Sequence, residues 1–583
     1  MKLRPFPSML PLALLALLAT APALHAQSHD YQVLVLHPPA LTESEAFSID
    51  DAGEVVGLGI INGQEAALIW TGAGTNFRSL NPGVGFTSEA NHISGARVAG
   101  TVTPVGQPNA AQAVVWDAYS SAMTSLHPTT GFVFSSALSV DGDQVVGSGG
   151  GEATGFEENA LLWTSPAPSN VVNLNPSQLG VFLSKAHGVD AVHGQQVGGG
   201  SVLLDAKIVG NTIYETIQNH ALLWTGSAAS AVDLNPAGFD ESFAIAVSDL
   251  RQGGYAKPAG STLKHAMLWQ GDAASAIDLH PTGFSESGIN SLRGNLQVGA
   301  ASGPTTGNVL HAMLWQGSAA SAVDLHGFLP TTSQGAPMFD GSSANGVDAF
   351  GNVVGEAHTP AGDVRAILWQ RIPDLQLISF RGVWTTHGNE YVRLAVTLDG
   401  PAPSDEAITL SSSRPDLTTL PHVGTAAGTI VPSGTSQTIT GISFAPVATR
   451  TIVVITATFH GQTRFATMVI VPSGLSSVNF AARSIFGGGA TTATVTLDGP
   501  APAGGALVQL TGSTPTASWS STVPIPAGAT SATFPVQTQP TFLTFYATMT
   551  ATYAGVSRQD TLTVLREIPV LLYPRPLGFS LTY

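Results

Sequence analysis

The sequence predicts an all-β protein: a seven-bladed β-propeller over residues 27–371, then two immunoglobulin-like β-sandwiches over residues 372–472 and 473–566. Three observations support this prediction. Short apolar runs bounded by Gly, Pro, Asn and Asp recur throughout, one four-strand unit is repeated seven times, and another unit is repeated twice near the C-terminus. Such runs are typical of strands joined by tight turns. The 583 residues are too many for one core, which favours several domains.

A tryptophan ends the third strand of each predicted blade. The motif x-Ala-x-x-Trp occurs seven times, ending at Trp70, Trp116, Trp163, Trp224, Trp269, Trp315 and Trp369. Both faces of these strands are apolar, as in residues 265–269 (HAMLW), which predicts burial on both sides. Stacked blades bury both faces, whereas a single two-sheet sandwich leaves one face of each sheet in water.

A serine marks the first strand of each predicted blade. These serines are Ser44, Ser88, Ser135, Ser184, Ser242, Ser287 and Ser342. Each repeat then continues with a Val-Gly strand, the tryptophan strand and an Asp-Leu strand, and four strands in about 45 residues are typical of a propeller blade. The last repeat lacks its Asp-Leu strand, so we expect residues 31–36 to supply it and close the ring.

The motif His-Ala-Met-Leu-Trp, preceded by Val-Val-Gly and an Asp-x-x-Gly turn, resembles the HAF family of extracellular repeats over about residues 31–371. The resemblance implies an exported, β-propeller-like repeat protein, and it brings no agreed activity. Residues 373–471 and 475–566 are copies of each other, since residues 396–403 return as residues 495–502. They resemble bacterial immunoglobulin-like repeats, which implies spacer or adhesion modules.

The N-terminus is predicted to be an export signal covering residues 1–26. Lys2 and Arg4 precede an apolar run of 12 residues, Leu10 to Ala21, and small residues follow up to Ala26. An uncleaved anchor is the alternative, but the run is short for a membrane span. We therefore expect a secreted or cell-surface protein without a later transmembrane segment. Residues 567–583 are interpreted as a packing extension or the stub of a further strand, with an outer-membrane sorting signal as the alternative.

Charge and cysteine content exclude several classes of partner. The formal net charge is −17 with only 10% charged residues and no basic cluster, which argues against nucleic acid and anionic membranes as partners. The absence of cysteine excludes disulfides and thiolate metal sites. We expect a monomer whose partner is an extracellular glycan or protein.

The predicted ligand-binding residues lie in loops that break the seven-fold repeat. One is an insertion over residues 202–219, and the other is a long link over residues 325–342. Both are expected at the same mouth of the ring, and long loops on a rigid scaffold often carry recognition. The alternative is that these loops have no binding function. The candidate residues are Asp205, Lys207, Tyr214, Glu215, Phe239, Phe284, Phe328, Phe339 and Asp340.

Strong catalytic and metal-binding motifs are absent from the sequence. There is no Gly-x-Ser-x-Gly, no His-Glu-x-x-His and no phosphate loop. His220, His265 and His311 begin successive tryptophan strands, but equivalent atoms on adjacent blades are over ~10 Å apart, too far for one zinc ion. We predict structural roles for these histidines. Residues 141–143 (DGD) are predicted to form a hairpin turn rather than a calcium site.

The inner strands support an enzymatic alternative. Asn91, His187, Asn290 and Asn345 share one column of these strands, and Glu45 and Glu89 share another. Oxygen and nitrogen ligands in a central channel could hold a divalent cation, as in lactonase-type propellers.

The sequence therefore favours a non-catalytic, exported binding or adhesion protein without a cofactor. Its propeller would recognise a glycan or protein, and its sandwiches would act as spacers. The alternative is a propeller hydrolase or lyase acting on extracellular polysaccharide or lactone with a central Ca²⁺. A purely structural envelope component is a third hypothesis.

Overall fold

The computed structural model describes residues 31–71, 76–209, 212–512 and 515–567. The predicted export signal and nearly all of the predicted tail lie outside these residues. The described residues form strands and short 3₁₀-helices without any α-helix, so the all-β prediction is confirmed. None of the described helices has the length and apolar character that crossing a bilayer requires. The chain divides into two compact units, with the boundary between Arg371 and Ile372.

The described residues of the N-terminal unit form seven four-stranded antiparallel sheets. The chain enters through β1 (Tyr31–Val35). Sheet 1 contains β2 (Ser44–Ile49), β3 (Val55–Ile61), β4 (Gln64–Trp70) and β5 (Phe77–Ser79); sheet 2 contains β6 (Phe86–Ser94), β7 (Arg97–Pro104), β8 (Gln112–Asp117) and β9 (Met123–Ser125); sheet 3 contains β10 (Phe134–Asp141), β11 (Gln144–Gly150), β12 (Asn159–Trp163) and β13 (Val171–Asn173). Sheet 4 contains β14 (Val181–Asp190), β15 (Gln195–Val209), β16 (Thr212–Trp224) and β17 (Val232–Asp233); sheet 5 contains β18 (Phe239–Ser248), β19 (Arg251–Pro258), β20 (His265–Trp269) and β21 (Ile277–Asp278). Sheet 6 contains β22 (Glu286–Arg293), β23 (Leu296–Ser302), β24 (His311–Trp315) and β25 (Val323–Asp324); sheet 7 contains β26 (Gly341–Val347), β27 (Val353–His358), β28 (Val364–Arg371) and β1.

Short 3₁₀-helices lie in the connections of this unit. They span Glu152–Thr154, Ser177–Leu179, Ala228–Ser230, Ala273–Ser275, Pro304–Thr306, Ala319–Ser321 and Leu325–Phe328.

Strand β1 is the fourth strand of sheet 7, although the other three strands of that sheet come from the C-terminal end of the unit's sequence. It pairs antiparallel with β28, from Tyr31 opposite Arg371 to Val35 opposite Ile367. This confirms the expectation that the first strand of the chain supplies the outer strand of sheet 7. An otherwise open sheet edge is thereby paired.

The serines of the first strands join the sheets into a ring. Each serine is buried, and its Oγ accepts a hydrogen bond of 2.9–3.0 Å from a backbone N–H in the third strand of the preceding sheet. The bonds run from Ala67 to Ser88, Ala113 to Ser135, Ala160 to Ser184, Ala221 to Ser242, Ala266 to Ser287, Ala312 to Ser342 and Ala366 to Ser44. The last bond links sheet 7 back to sheet 1. The N-terminal unit is therefore a β-propeller.

Replacing Ser44 with alanine tests the bond that closes the ring. The change leaves the buried N–H of Ala366 without its acceptor and removes the contact between Ser44 Oγ and His37 Nδ1. We expect a loss of about 1–3 kcal/mol in the free energy of unfolding, because an unsatisfied buried donor costs about that much. Denaturant titration measures the loss. Ser333→Ala, at an exposed position, is the control, and equal stability of both variants would contradict the prediction.

The tryptophans fill the spaces between neighbouring sheets. All seven are at most 1% exposed, as expected for strands that are apolar on both faces. The apolar clusters cross from one sheet to the next; one of them contains Trp70 of sheet 1 together with Val354 and Leu368 of sheet 7. Burial of these side chains on both faces of each sheet stabilises the ring.

The C-terminal unit contains two pairs of sheets. The first pair consists of a sheet of β29 (Leu375–Phe380), β31 (Tyr391–Leu398), β36 (Gln437–Phe444) and β33 (Thr418–Thr419), and a sheet of β30 (Thr385–Thr386), β38 (Gln462–Ile470), β37 (Thr451–Phe459), β32 (Glu406–Ser412), β35 (Ala426–Val431) and β34 (His422–Val423). The second pair consists of a sheet of β39 (Leu475–Phe480), β41 (Ala490–Leu497), β45 (Ser531–Thr538) and β43 (Ala517–Ser518), and a sheet of β40 (Ser484–Phe486), β47 (Val556–Leu565), β46 (Phe545–Tyr553), β42 (Ala506–Gly512) and β44 (Thr522–Ile525).

Each pair of sheets encloses its own core. In both pairs, alternating apolar residues of the two sheets form one buried cluster, which includes Val396 and Ile455 in the first pair and Val495 and Met549 in the second. The alternation leaves threonine-rich outer faces in contact with water, as expected for sheets that are buried on one side only.

Candidate functional site

The first strands of the seven sheets surround a central channel. First strands of neighbouring sheets contact one another around the whole ring. We call the residues that directly follow the seven serines the entrance column, and the residues two positions further the inner column. The entrance column contains Glu45, Glu89, Ser136, Lys185, Phe243, Gly288 and Ser343. The inner column contains Phe47, Asn91, Leu138, His187, Ile245, Asn290 and Asn345, all half-buried.

Carboxyl groups gather on one side of the channel entrance. Burial, together with the negative charges of Glu356, Glu43, Glu89 and Glu65, raises the pKa of Glu45 to about 7. Glu356 belongs to sheet 7, Glu65 to sheet 1 and Glu89 to sheet 2, which are consecutive around the ring, and Glu43 directly precedes the first strand of sheet 1. A half-buried carboxyl with a pKa near 7 is able to give up or take a proton at neutral pH, as catalytic acids and bases must.

Glu89 extends the acidic side of the entrance. Burial and the charge of Glu65 raise its pKa above the ordinary value. Glu45 and Glu89 occupy the same position in adjacent sheets, as predicted from their shared column. Glu356 was missed by the sequence analysis, because it lies on the second strand of its sheet, opposite Ser343, rather than on a first strand.

Aromatic and basic side chains occupy the other side of the entrance. Phe243 stacks against Tyr255 with ring centroids 6.2 Å apart, and His187 contacts the edge of Phe243 at 5.1 Å. A β-carbon at Gly199 would lie 2.4 Å from the Phe243 ring, so only glycine leaves room for that ring. Lys185 belongs to the entrance column and pairs with Glu158 at 3.1 Å. The channel entrance thus carries carboxyl groups on one side, and aromatic rings and an ion pair between Lys185 and Glu158 on the other.

The asparagines predicted as alternative calcium ligands join neighbouring sheets. The side-chain amides of Asn91, Asn290 and Asn345 donate to the backbone carbonyls of Ala137, Ala344 and Ala46, respectively, each in the next sheet. Burial lowers the pKa of His187, the fourth predicted ligand, to about 4. Among the described residues, no three His, Cys, Asp or Glu side chains are grouped so that they could hold a metal ion.

The histidines at the starts of the third strands have structural partners. His220, His265 and His311 each lie 2.7–2.8 Å from an aspartate of the fourth strand in the same sheet. The ring of His265 also stacks on His280, with centroids 4.0 Å apart. Each of the three histidines is thus tied to the outer strand of its own sheet.

The predicted insertion is a long extension of the hairpin between β15 and β16. Asp205 is exposed and pairs in register with Thr216. The backbone of Lys207 lies opposite Tyr214, and Glu215 lies opposite Ala206. The side chains of these last three predicted residues lie outside the described part of the structure.

The predicted aromatic residues of the mouth are largely part of the core. Phe339 is 3% exposed and belongs to the apolar cluster of sheet 7, so the prediction that it contacts a ligand is wrong. Phe328 packs against the same cluster and contacts the Tyr31 ring edge-on at 5.4 Å. Phe239 and Phe284 are half-buried against neighbouring clusters, and Asp340 is exposed.

A cavity of about 810 Å³ opens at the other end of the channel. All seven sheets line it through the turns that follow their first strands, and the ion pair between Arg293 and Asp51 links two of these turns. Asp141, from the predicted hairpin turn, accepts hydrogen bonds from Ser94 Oγ and the backbone N–H of Ala191. The aspartates of this end therefore join neighbouring turns.

Comparisons with known proteins report distant likenesses. No family model matches the chain, and no curated protein matches it. The β-propeller domain of the Trilobed protease from Pyrococcus furiosus is 10% identical, with 56% of this chain and 94% of that chain covered and a TM-score of 0.37. A puromycin-hydrolyzing peptidase of Mycobacterium tuberculosis is 12% identical, with 58% of each chain covered and a TM-score of 0.27. A structure from an analysis of two prolyl endopeptidases is 12% identical, with 79% of this chain and 57% of that chain covered and a TM-score of 0.26.

These matches correct the functional prediction. The three solved structures come from proteolytic enzymes, and on this comparison the prediction of a non-catalytic binding and adhesion protein is wrong. The prediction gave most weight to the long loops and little to the inner strands.

Proposed function

We propose that the seven sheets are the seven blades of a closed β-propeller and that the two C-terminal sheet pairs are immunoglobulin-like sandwiches. The cyclic series of serine hydrogen bonds supports the first part. The separate core of each sheet pair supports the second. In the proposed architecture, the central channel of the propeller is the candidate active site.

We propose that the protein is a hydrolase that cleaves glycosidic bonds in an extracellular polysaccharide. One observation supports this more than any other: Glu45 is a half-buried carboxyl at the channel entrance, and burial and the charges of Glu356 and Glu89 raise its pKa to about 7. Glycoside hydrolysis generally uses two carboxyl groups, one protonated and one charged. The extracellular location rests on the predicted export signal.

In this mechanism Glu45 is the general acid. Its proton passes to the glycosidic oxygen as the bond to the anomeric carbon breaks, so that the leaving sugar departs as an alcohol. Glu356, as the charged carboxylate, takes a proton from a water molecule whose oxygen forms the new bond to the anomeric carbon, and proton exchange with solvent then restores the acid form of Glu45 and the carboxylate of Glu356. Calcium in the inner column stays a prediction, and no step of this mechanism depends on it.

The direct test is an assay of reducing ends released from a panel of polysaccharides by the purified full chain. We expect release from at least one of them, with loss of activity when Glu45 is changed. If the ultraviolet absorbance of unsaturated sugars appears instead, the reaction is a lyase reaction. Release of reducing ends that does not depend on Glu45 would contradict the proposal.

The pH dependence of kcat/KM should report the titration of Glu45. Only the protonated carboxyl donates, so activity should fall as the pH rises through about 7. Glu43→Gln removes the largest of the charges that raise this pKa and that take no part in the mechanism, so the alkaline limb should move to lower pH. Glu65→Gln removes the smallest of these charges and should move the limb less. A limb that stays in place or moves to higher pH in Glu43→Gln would contradict the assignment.

A further inference from the structure

Each serine bond between neighbouring sheets, which we call a joint, has a histidine or an asparagine beside it. This joint residue lies two positions after the end of the fourth strand of the preceding sheet. Histidine is the joint residue after sheets 7, 2, 5 and 6, at His37, His127, His280 and His326. Asparagine is the joint residue after sheets 1, 3 and 4, at Asn81, Asn175 and Asn235. The joints of the ring therefore fall into two chemical classes.

Each joint histidine contacts the serine that links its sheet to the next one. The distance from Nδ1 to Oγ is 2.8–2.9 Å in the pairs His37–Ser44, His127–Ser135, His280–Ser287 and His326–Ser342. These serines are at most 3% exposed. Each Oγ also accepts the backbone N–H from the third strand of the preceding sheet. The imidazole is thus hydrogen-bonded to the hydroxyl that joins the two sheets.

The neutral form of the histidine is the form that satisfies this serine. At His280, Nε2 lies 3.2 Å from the carbonyl oxygen of Phe284, which can only accept, so Nε2 carries the ring proton. Nδ1 is then the acceptor for the O–H of Ser287. The corresponding backbone hydrogen bonds join His37 to Leu41 and His127 to Phe132. A second proton, on Nδ1, would leave the buried serine O–H without its acceptor, which is costly.

Asparagine makes the same two kinds of contact without a titratable group. The side-chain oxygen of Asn175 accepts the hydroxyl of Ser184 at 2.8 Å, and its amide donates to the carbonyl of Val181 at 3.3 Å. The amide of Asn235 donates to the carbonyl of Phe239 at 3.1 Å. An amide takes up no proton when the solution is acidified to about pH 5. The asparagine joints are therefore insensitive to pH in this range.

Two of the joint histidines are stacked on a second histidine. His280 lies parallel to His265, and His326 lies parallel to His311, with ring centroids 4.0 Å apart in both pairs. The outer rings, His265 and His311, each lie 2.8 Å from the aspartate that ends the fourth strand of their sheet. Since like charges repel at this distance, a proton on the outer ring disfavours a proton on the joint histidine.

The charges around the stacked joint histidines have opposing effects on their pKa. Burial lowers the pKa of both, and the charge of the stacked ring lowers it further. The opposing aspartates are Asp278 for His280, and Asp324 and Asp340 for His326. Burial and like charge together outweigh these aspartates, so both histidines are harder to protonate in the folded chain than in the unfolded one.

Burial also lowers the pKa of the other two joint histidines, His37 and His127. At His37 the charge of Arg365 adds to this effect, and the charge of Asp363 opposes it. In an unfolded chain the pKa of histidine is about 6.5. Below that pH the unfolded chain binds more protons at these positions than the folded ring does, so stability falls as the pH falls. Well above that pH the histidines are neutral in both states, and the joints have their full stability.

We propose that the joint histidines make the ring sensitive to acid, because protonation of the imidazole breaks the serine bond at four of its seven joints. The asparagine joints do not titrate. One of the sensitive joints, between His37 and Ser44, links sheet 7 to sheet 1 and so closes the ring. Acidification therefore weakens the closure itself. This inference goes beyond the proposed hydrolase function and does not depend on it.

The test is the pH dependence of unfolding of the full chain carrying both His280→Asn and His326→Asn. Tryptophan fluorescence during denaturant titration follows the N-terminal unit, which contains seven of the nine tryptophans. A histidine that is neutral when folded and charged when unfolded raises the unfolding constant by up to about 10-fold for each pH unit of acidification. Between about pH 7.5 and about pH 5, we expect the unfolding constant to rise about 10-fold less in the double variant than in the unchanged chain.

Two further variants serve as controls. His422→Asn changes an exposed histidine of the C-terminal unit and should leave this pH dependence unchanged. Asn175→His places a histidine at an asparagine joint and should increase the pH dependence. His92 and His187 also have a pKa lowered by burial, but they are present in every variant, so their contribution cancels in the comparison.

The inference is overturned if the double variant shows the same pH dependence as the unchanged chain, or if Asn175→His shows no increase. Each variant is compared with itself at two pH values, so a uniform loss of stability caused by a substitution does not alter the outcome. The release of reducing ends plays no part in these measurements. Failure of this inference is therefore distinguishable from failure of the proposed hydrolase function.

Discussion

Glu45→Gln should lower turnover by about 10²–10⁴-fold, which is the usual contribution of general acid–base catalysis. Glutamine keeps the size and hydrogen-bonding capacity of the side chain but has no proton of suitable acidity. Glu45 is on the first strand of its sheet, where its neighbours Ser44 and Ala46 are buried, so its position at the entrance is fixed by the sheet. We expect kcat and kcat/KM to fall together, because the proton is transferred only in the transition state.

Glu286→Gln is the matched control for this variant. Glu286 directly precedes the serine of its first strand, whereas Glu45 directly follows one, and it accepts a hydrogen bond from Ser302 Oγ. Its replacement should leave turnover within a factor of about two, since its carboxyl is not among the charges that raise the pKa of Glu45. Equal activity of Glu45→Gln and Glu286→Gln would remove Glu45 from the mechanism.

Trp369→Ala should reduce the free energy of unfolding of the N-terminal unit by about 3–5 kcal/mol, the usual cost of truncating a buried tryptophan. Trp369 is fully buried, and its Nε1–H donates a 2.9 Å hydrogen bond to the carbonyl of Leu325. It also lies opposite both Val353 of β27 and Val33 of β1. The cavity would therefore form in the sheet that closes the ring, where the first strand is attached.

Chemical denaturation followed by far-ultraviolet circular dichroism measures this loss, with the slope of the transition as a check that the unfolded state is unchanged. Phe156→Ala is the control in the same unit, because Phe156 is 75% exposed and should change stability by no more than about 0.5 kcal/mol. A Trp369→Ala variant as stable as this control would show that the predicted packing between sheets is wrong.

Repetition made much of the propeller predictable from the sequence. Seven copies of the serine and tryptophan markers identified the strands, and the orphan strand at residues 31–36 indicated closure, which the pairing of Tyr31 with Arg371 confirms. The serine and the tryptophan each have the same structural role in every sheet. The serine supplies an acceptor to the preceding sheet, and the tryptophan fills the space between sheets.

The candidate site was harder to predict, because it lies where the repeats differ. Glu356 follows the Val-Val-Gly of its repeat, and only the ring places it beside Glu45, more than 300 residues earlier. Phe339 was predicted to contact a ligand because it lies in a long connecting segment, but its large apolar side chain is buried in the core.

The attachment of β1 to β28 constrains the order of assembly. The strand made first pairs with a strand made more than 300 residues later, and contacts of such long sequence separation form slowly because the intervening chain must be ordered first. Until β1 has paired with β28, the unpaired backbone N–H and C=O groups of β28 can form hydrogen bonds with a strand of another chain. Newly made chains should therefore be most prone to exchange strands with one another, or to aggregate, in the interval between synthesis of sheet 7 and capture of the N-terminal segment.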